Sequence, residues 1–463
     1  MELKGKKVLV VGLGKSGLAA ALFLRHRGAH VTVSDVRSAE ALAKDIPALL
    51  EEGIMVEAGG HGLLTFRRQD LIVVSPGVPL STPELVQVRS FGLPVIGELE
   101  LAARFIKGRM LAVTGSNGKT TTTTLLGEIL KEAGLPTLVG GNIGVPVVSL
   151  VDESADDTWS VLEVSSFQLE STEQFHPSIA VILNITPDHL DRHGSFENYI
   201  LAKERIFAAQ DAKDCLVLNA DNTPAAEAAS RAASRVYWFS VEHPVSQGAW
   251  LEQGYVVYRS QENAAIEQVM PLGGIPLKGA HNVENVLAAV VAARQAGAPA
   301  GAIRRAIENF RAVEHRLEYV ATINGVEYYN DSKATNVDAT AKAVAAFSSG
   351  IHLILGGKDK GSDYTTLSQL LRERVRAVYT IGSAAAKIES HLRGVITLQS
   401  CETLENAVNA AATAARPGEV VLLAPACSSF DQFDSYEHRG RVFKELVSER
   451  AGFTGSATGQ ARN

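Results

Sequence analysis

The segment that most constrains the fold is Thr114–Thr121, Thr-Gly-Ser-Asn-Gly-Lys-Thr-Thr, which stands between a predicted strand, Met110–Thr114, and a predicted helix that runs through Ala133. Glycines let backbone N–H groups close around a phosphate, and a helix N-terminus adds positive potential. Lys119 supplies a positive charge, and the Thr120 hydroxyl can reach a phosphate-bound Mg²⁺. The spacing Gly-x-x-Gly-Lys-Thr is two residues shorter than the usual phosphate-loop motif. We predict that this segment binds ATP; a glycine turn that only caps a helix is the alternative.

A second glycine motif, Gly12-x-Gly14-x-x-Gly17, follows the first predicted strand, and Asp35 ends the next one. Predicted strands at 8–11, 31–34 and 71–75 are rich in Val, Ile and Leu, and a helical pattern covers 16–27, so this part is a doubly wound parallel sheet. The motif has the form of a dinucleotide fingerprint. NAD stays open as its ligand, but no hydride-transfer site is evident, so a nucleotide-containing substrate such as a UDP-sugar is preferred.

Composition excludes several classes of protein. The chain has 463 residues, of which 46% are hydrophobic and 21% charged, so a large core is available and general disorder is excluded. The net charge of −7 argues against a nucleic-acid coat. Apolar runs are strand-sized, the N-terminus does not resemble a signal peptide, and the three cysteines are widely spaced. We expect a soluble, cytoplasmic, multidomain α/β protein with no nucleic-acid or membrane partner.

Three domains are predicted from the order of strands and helices. They are an N-terminal Rossmann-like domain (1–97), a central P-loop ATPase-type domain (98–312) and a C-terminal Rossmann-like domain (313–463). Within the central domain, 236–278 is predicted to form antiparallel strands. In the C-terminal domain, strands are predicted at 326–329, 352–355, 375–381, 395–398 and 420–424.

The central domain also carries candidate metal-binding groups. Glu163 ends a predicted strand and could reach a Mg²⁺ at the phosphate loop, and His189 follows another strand at the same sheet edge. Ser195 is a predicted N-cap, and Lys203 falls on the apolar face of the following helix. Lys203 either extends to solvent or is held inside. A buried lysine has a lowered pKa, and its neutral amine can react with CO₂ to give an anionic carbamate able to hold a second Mg²⁺.

Three polar turns in the C-terminal domain follow predicted strands. They are Asp331–Asn336, Gly356–Gly361 and Pro425–Asp431, and together they carry several lysines and hydroxyls. Each alone could be ordinary loop chemistry. Since the carboxyl ends of parallel strands share one sheet edge, the three turns suit a small anionic substrate such as an amino acid with an extra carboxylate.

With these motifs laid out, the chain resembles the Mur ligases of peptidoglycan synthesis over nearly its whole length. The strings that carry the resemblance are Thr-Gly-Ser-Asn-Gly-Lys-Thr-Thr at 114–121, Glu-Val-Ser-Ser-Phe-Gln-Leu at 163–169, Asn-Ile-Thr-Pro-Asp-His-Leu-Asp at 184–191, Gly-Ala-His-Asn-x-x-Asn at 279–285, Glu-His-Arg at 314–316, Asn-Asp-Ser-Lys-Ala-Thr-Asn at 330–336 and Ala-Cys-Ser-Ser-Phe-Asp-Gln-Phe at 426–433. The Ser-Ser-Phe-Gln and Asp-Ser-Lys-Ala-Thr-Asn strings resemble most the member of the family that adds D-glutamate.

The resemblance implies an activity. ATP would phosphorylate the carboxylate of UDP-N-acetylmuramoyl-L-alanine, and the D-glutamate amine would attack the acyl phosphate to give an amide, ADP and phosphate. Lys119, Glu163, His189 and Lys203 would be catalytic. One Mg²⁺ would be held by Thr120 and Glu163, and a second by His189 and carbamylated Lys203. The chain would act as a monomer.

The resemblance also implies the residues that contact each substrate. Those contacting ATP would be Gly115, Ser116, Asn117, Gly118, Lys119, Thr120, Thr121, His281, Asn282, Asn285, Arg316 and Asp331. Those contacting the UDP-substrate would be Ser16, Asp35, Arg37, Gly77, Asn142 and Ser166. Those contacting D-glutamate would be Lys333, Thr335, Lys358, Ser429, Phe430 and Tyr436. The family further implies that the C-terminal domain closes over the substrates, with a hinge near residues 312–314.

Three alternatives stay open from the sequence alone. One is another ligase of the same chemistry, acting on a different acceptor or on folate. The second is a nicotinamide-dependent oxidoreductase built on the N-terminal glycine motif. The third is a nucleotide-binding protein without catalysis, which the presence of all four predicted catalytic residues disfavours.

Overall fold

The computed structural model describes residues 1–311 and 314–457, with side chains up to residue 452. Its strands form three sheets of five, nine and six strands. Packing divides the chain into two compact units: residues 1–275 with 284–310, and residues 276–283 with 311–463. The second unit is therefore built from two separate stretches of chain. The three-domain boundaries stay predictions, and residues 312 and 313, where the hinge and the last boundary were predicted, lie outside the described residues.

The first sheet confirms the doubly wound prediction for the N-terminus. Its elements are β1 Lys7–Val11, α1 Lys15–His26, β2 His30–Asp35, α2 Ile46–Glu51, β3 Met55–Ala58, α3 Leu63–Arg67, β4 Leu71–Val74, α4 Pro83–Ser90, β5 Val95–Gly97 and α5 Glu98–Ala103. The strand order is β3-β2-β1-β4-β5, with every pair parallel. At Gly17 an added Cβ would lie 1.9 Å from the Gly12 carbonyl oxygen, so the glycine turn can pack only with glycine there.

The second sheet extends the first compact unit. Its elements are β6 Arg109–Thr114, α6 Lys119–Glu132, β7 Thr137–Gly141, β8 Trp159–Glu163, α7 Ser166–Leu169, β9 Ile179–Ile182, α8 Leu190–His193, α9 Phe196–Glu204, β10 Cys215–Asn219, α10 Thr223–Glu227, β11 Arg235–Ser240, β12 Gly248–Glu252, β13 Tyr255–Arg259, β14 Glu267–Pro271, α11 Ala280–Ala296 and α12 Ala300–Asn309. The order is β14-β13-β12-β11-β10-β9-β6-β8-β7.

The prediction of antiparallel strands over 236–278 is only partly right. β11 pairs parallel with both β10 and β12, and only β12–β13 and β13–β14 are antiparallel. Aromatic and β-branched residues between turn signals identify strands, but they do not determine which neighbour a strand pairs with.

The third sheet lies in the second compact unit. Its elements are β15 Glu318–Ile323, β16 Val326–Asn330, α13 Val337–Ala345, β17 Ile351–Gly356, α14 Ser368–Arg374, β18 Val375–Ile381, α15 Ala385–Leu392, β19 Thr397–Glu402, α16 Leu404–Ala414, β20 Val420–Leu423 and α17 Tyr436–Ala457. The order is β15-β16-β20-β17-β18-β19, and only β15–β16 is antiparallel. The strand predicted at 395–398 is displaced to β19. Among the described residues, no helix is both long and apolar enough to cross a membrane.

Two buried carboxylates tie α5 to the central sheet region. Glu100 is fully buried and accepts hydrogen bonds from the backbone N–H groups of Glu173, Gln174 and Phe175, and it also pairs with Arg104. Glu98 accepts a hydrogen bond of 2.8 Å from the Val148 N–H. Within the described residues its other carboxylate oxygen is buried without a hydrogen-bond partner, and burial raises the pKa of Glu98 to about 7.

Glu98→Gln is expected to remove a pH dependence of stability. Because the folded pKa of Glu98 is raised, the folded protein holds a proton that the unfolded chain releases, so the free energy of unfolding falls as pH rises from about 4.5 to about 7. The loss should be on the order of 2–3 kcal/mol, at 1.36 kcal/mol per pKa unit. Urea unfolding at pH 5 and pH 8 measures it. The control is Glu153→Gln, an exposed acid, and an unchanged slope in Glu98→Gln would contradict the assignment.

Candidate active site

The phosphate loop joins β6 to α6. Gly118 is the N-cap of α6 in a left-handed conformation (φ 87°), and an added Cβ there would lie 2.1 Å from the Asn285 side-chain oxygen. The Lys119 ammonium donates to the carbonyls of Gly115 and Ser116, at 2.8 and 2.9 Å. The loop is therefore a tight backbone turn with a cation folded over it. This geometry suits an anion, because the N–H groups at the start of α6 have no partners within the helix.

Side chains from the neighbouring strands hold this loop in place. The Ser116 hydroxyl donates 2.9 Å to the Thr186 carbonyl and lies 3.2 Å from the Tyr199 hydroxyl. The Asn117 N–H donates 2.9 Å to the Asn184 side-chain oxygen. The strings at 114–121 and 184–191 thus meet at one sheet edge, as the order β9-β6-β8 requires.

Glu163, at the end of β8, contacts the loop directly. The Thr120 hydroxyl donates 2.7 Å to one Glu163 oxygen, and the Asn142 amide donates 2.8 Å to the other. Glu163 is 1% exposed and Thr120 is 5% exposed. A hydroxyl and a carboxylate, adjacent and buried beside a phosphate loop, are the hard oxygen donors that Mg²⁺ prefers.

Lys203 is buried, so of the two alternatives left by the sequence its side chain is held inside and does not extend to solvent. Its side chain is 1% exposed, its ammonium donates 2.8 Å to the Gly115 carbonyl, and it lies 4.5 Å from the centre of the Tyr199 ring. Burial, reinforced by the nearby charge of Lys119, lowers the pKa of Lys203 well below its usual value. Within the described part of the chain, no carboxylate accepts a hydrogen bond from the Lys203 ammonium.

His189 lies at the start of α8 with a positive φ of 53°. Its ring is 5.0 Å from the Phe167 ring and 3.6 Å from the Asp188 carboxylate, and a third of its side chain is exposed. An accessible imidazole next to a carboxylate is able to act as a metal ligand.

The predicted UDP-substrate residues lie at the carboxyl edge of the first sheet and at the neighbouring loops. Asp35 accepts from the Leu13 N–H at 2.6 Å and from the Arg37 guanidinium at 2.9 Å. Burial alone would raise its pKa, but the hydrogen bonds from Arg37 and Leu13 outweigh it and lower the pKa of Asp35 to about 2. Ser16 is half-buried, Gly77 is exposed and Ser166 is 4% exposed. Lys15 donates 2.5 Å to the Gly144 carbonyl, which brings the first glycine turn to the loop that carries Asn142.

In the second unit, three predicted ATP residues interact electrostatically. Burial, reinforced by the charges of Lys342 and Arg316, lowers the pKa of His281 to about 4. Burial raises the pKa of Asp331 to about 7, an effect that Arg316 opposes. Asn282 donates 2.7 Å to the Lys278 carbonyl. Asn285 belongs to the first unit, where its side chain lies against Gly118 at the phosphate loop.

The predicted D-glutamate residues occupy three loops of the second unit, which follow β16, β17 and β20, and the first position of α17. The Lys333 ammonium lies 4.9 Å from the centre of the Tyr436 ring. An isolated antiparallel β-bridge between Lys358 and Ser428 brings the turn that carries Lys358 to the loop that holds Ser429. Thr335 is half-buried, Lys358 is exposed, and Phe430 is 69% exposed.

The sequence analysis missed one residue that holds these loops together. Arg439 is fully buried and donates to the carbonyls of Ser332 and Cys427 and to the Ser332 hydroxyl, at 2.7 to 3.2 Å. Burial lowers its pKa to about 10. A single arginine in a helical pattern reads as a surface residue, so only the packing identifies it.

Comparison with known proteins gives the family of the chain. Family models match in three parts: "Mur ligase MurD-like, N-terminal domain" over residues 6–97, "Mur ligase middle domain" over 113–293 and "Mur ligase, glutamate ligase domain" over 315–427. Among solved structures, the UDP-N-acetylmuramate-alanine ligase of Thermotoga maritima covers 96% of this chain and 99% of its own, with a TM-score of 0.60 at 20% identity. That likeness shows the fold alone.

Two relatives of known name align almost end to end. The UDP-N-acetylmuramoylalanine–D-glutamate ligase of Acidobacterium capsulatum is 71% identical, over 98% of each chain. The ligase of the same name from Koribacter versatilis is 60% identical, over 97% of this chain and 99% of its own. The chain belongs to the Mur ligase family. Within that family it belongs with the UDP-N-acetylmuramoylalanine–D-glutamate ligases, which selects the ligase prediction over the oxidoreductase alternative.

Proposed function

We propose that the chain is an ATP-dependent ligase that joins D-glutamate to UDP-N-acetylmuramoyl-L-alanine in peptidoglycan precursor synthesis. The observation that carries the proposal is the arrangement at the phosphate loop, where Lys119 and Thr120 of α6, Glu163 of β8 and Lys203 of α9 converge. Identity of 71% to a ligase of that name supports the choice of substrates. We further propose that it acts in the cytoplasm as a monomer.

In the proposed reaction, the chain's residues position the reactants and neutralise charge. The N–H groups of Gly118 to Thr121, at the start of α6, and the Lys119 ammonium hold the ATP phosphates. A carboxylate oxygen of the UDP-substrate attacks the γ-phosphorus, and the bond to ADP breaks. The D-glutamate nitrogen then attacks the acyl carbon, the amine loses a proton, and inorganic phosphate leaves.

The residues present fit the divalent metal that the family implies. Thr120 and Glu163 would hold one Mg²⁺ and His189 with carbamylated Lys203 a second; such ions neutralise charge on the transferred phosphoryl group. Lys203 meets the requirement for carbamylation because burial favours its neutral amine. In that step the lone pair of the neutral amine bonds to the carbon of CO₂, the π electrons of one C=O bond move onto its oxygen, and a proton leaves the nitrogen. The carbamate would replace a buried amine whose recorded hydrogen bond is to the Gly115 carbonyl with an anionic group able to bind a metal ion.

The remaining site residues are proposed contacts with the substrates. Asp35 and Arg37 would contact the uridine end, and Ser16, Gly77, Asn142 and Ser166 the diphosphate and sugar end. Lys333 and Lys358 would pair with the two carboxylates of D-glutamate, with Thr335, Ser429, Phe430 and Tyr436 around them. Asn285 in the first unit, and His281, Asn282, Arg316 and Asp331 in the second, are the further proposed contacts with ATP.

The test is phosphate release from ATP and Mg²⁺ with UDP-N-acetylmuramoyl-L-alanine and one amino acid at a time. We expect release with D-glutamate, with a matching mass gain in the UDP-product, and none with L-glutamate, L-alanine or meso-diaminopimelate. Lys119→Ala should reduce kcat by about 10²–10³-fold, as for loss of a group that stabilises transition-state charge. Lys131→Ala, at the exposed far end of α6, is the control. Release with a different amino acid would reassign the substrate, and no release with any would refute the ligase.

A further inference from the structure

A buried chain of polar groups ends at Ser166, one of the proposed contacts with the UDP-substrate. The Ser166 hydroxyl lies 3.1 Å from Nε2 of His193. Nδ1 of the same ring lies 3.2 Å from one oxygen of Glu170, and the other Glu170 oxygen accepts 2.8 Å from the Arg192 guanidinium. The reaction described above uses neither His193 nor Glu170.

The surroundings leave these groups little freedom. The His193 side chain is 3% exposed and its ring centre lies 5.6 Å from the Phe167 ring and 5.1 Å from the Tyr199 ring. The Arg192 guanidinium is held over the Phe167 ring, 5.0 Å from its centre. A buried ring in contact with two other rings can turn only by moving its neighbours.

The two contacts of the imidazole determine which nitrogen carries the proton. An ionised carboxylate only accepts hydrogen bonds, and Glu170 is paired with Arg192, so Nδ1 facing its oxygen must be protonated. In a neutral imidazole Nε2 is then an acceptor. Burial lowers the pKa of His193. The charges of Lys203 and Arg192 lower this pKa as well, whereas those of Glu170 and Asp191 oppose the shift. The ring is therefore neutral near pH 7.

This arrangement fixes the direction of the Ser166 hydroxyl. Its single proton is donated to Nε2, which leaves only oxygen lone pairs for a ligand. A hydroxyl held in this way cannot donate to a phosphate or a carboxylate. It can accept from a hydroxyl or an amide N–H.

We propose that His193 is a positioning residue that, oriented by Glu170, makes Ser166 a hydrogen-bond acceptor for a hydroxyl or amide N–H of the UDP-substrate. The inference rests on the proposed function, which it deepens by stating which kind of group on the substrate Ser166 selects. It assigns the anionic groups of that substrate to other residues.

Two variants of His193 separate the two nitrogens. Gln places an amide oxygen where it can accept from Ser166, so His193→Gln should retain binding of the UDP-substrate within about threefold. Asn keeps a donor near Glu170 but loses the acceptor, so His193→Asn should raise the KM for the UDP-substrate about tenfold, as for one lost hydrogen bond. Ser166→Ala should have the same effect, and the double variant should be no worse than either single one.

Controls show whether the effect is specific. The KM values for ATP and D-glutamate should stay unchanged in each variant, and each variant should remain folded in a thermal unfolding scan. His176→Asn alters a half-exposed histidine that pairs with Asp214 and should leave all three KM values unchanged. Additive effects of Ser166→Ala and His193→Asn, or equal rises in all three KM values, would overturn the proposal.

A spectroscopic measurement tests the tautomer without relying on turnover. The ¹⁵N spectrum of the protein labelled at its 12 histidines, compared with that of His193→Gln, identifies the His193 signals. We expect a protonated Nδ1 and an unprotonated Nε2. The opposite tautomer would overturn the proposal even in an active enzyme, whereas the expected tautomer in a protein that fails the ligase assay would refute only the proposed function.

Discussion

Lys203→Met is expected to abolish most of the activity while leaving the protein folded. Methionine has a similar length and suits a buried position, but it cannot form a carbamate. If the carbamate holds a metal ion beside the phosphate loop, its loss should lower kcat by about 10²–10³-fold, the scale of losing one group that stabilises transition-state charge. Because burial penalises the charged lysine, the melting temperature should be equal or higher.

Two measurements make this expectation specific. In wild-type protein equilibrated with ¹³C-bicarbonate, a carbamate carbon signal should appear, and Lys203→Met should lack it. Activity should fall when CO₂ is removed and return when bicarbonate is added. Lys213→Met, at an exposed lysine, is the matched control. Full activity in Lys203→Met, or a wild-type spectrum without the signal, would contradict the carbamate.

Arg439→Met is expected to destabilise the second compact unit. The substitution leaves the carbonyls of Cys427 and Ser332 without the donor that now satisfies them. Buried groups left unpaired cost about 1–3 kcal/mol each, so the free energy of unfolding should fall by about 2–5 kcal/mol, partly offset by the removed burial of a charge. Urea unfolding of the whole chain measures the change.

The same variant should weaken binding of D-glutamate. Arg439 joins the loop of Lys333 to the loop of Ser429, so its loss should raise the KM for D-glutamate more than the KM for ATP. Arg439→Lys keeps the charge but loses the forked geometry, and should lie between the wild type and Arg439→Met. Arg441→Met, an exposed position on α17, is the control. If Arg439→Met matches Arg441→Met in both measurements, the role assigned to Arg439 is wrong.

The parts of the fold that could be predicted are those with local signals. Strands such as β1 and β6 are short apolar runs, and the glycine turns after them are set by backbone conformations that glycine allows. The helix of Lys203 was predicted with its N-cap, and the structure has Ser195 accepting from the Asn198 N–H. The sequence left the environment of Lys203 open, because an apolar face with one lysine is compatible with both a buried and a solvated ammonium.

The site was predictable where a motif is contiguous and unpredictable where contacts are long-range. The loop 115–121 and Glu163 could be assigned from spacing after strands. The role of Arg439 could not be predicted, because its partner Ser332 lies 107 residues away in the chain. The pair Glu170–His193 could not be predicted either, because the position of the imidazole depends on its packing against other rings. The parallel pairing of β11 with β12 likewise depends on tertiary contacts rather than composition.

The second compact unit is made from two stretches, residues 276–283 and 311 onward, and this has a consequence for how the protein can be divided. The first stretch leaves the ribosome before the rest of the unit has been synthesised, and helix α11 begins within it and continues into residues of the other unit. A fragment cut at residue 311 would lack Lys278, which donates to the Tyr329 hydroxyl, and the buried His281. An expression fragment of this unit should therefore begin before residue 276 and retain α11, and a break in the chain between the two stretches should be tolerated only if both pieces stay together.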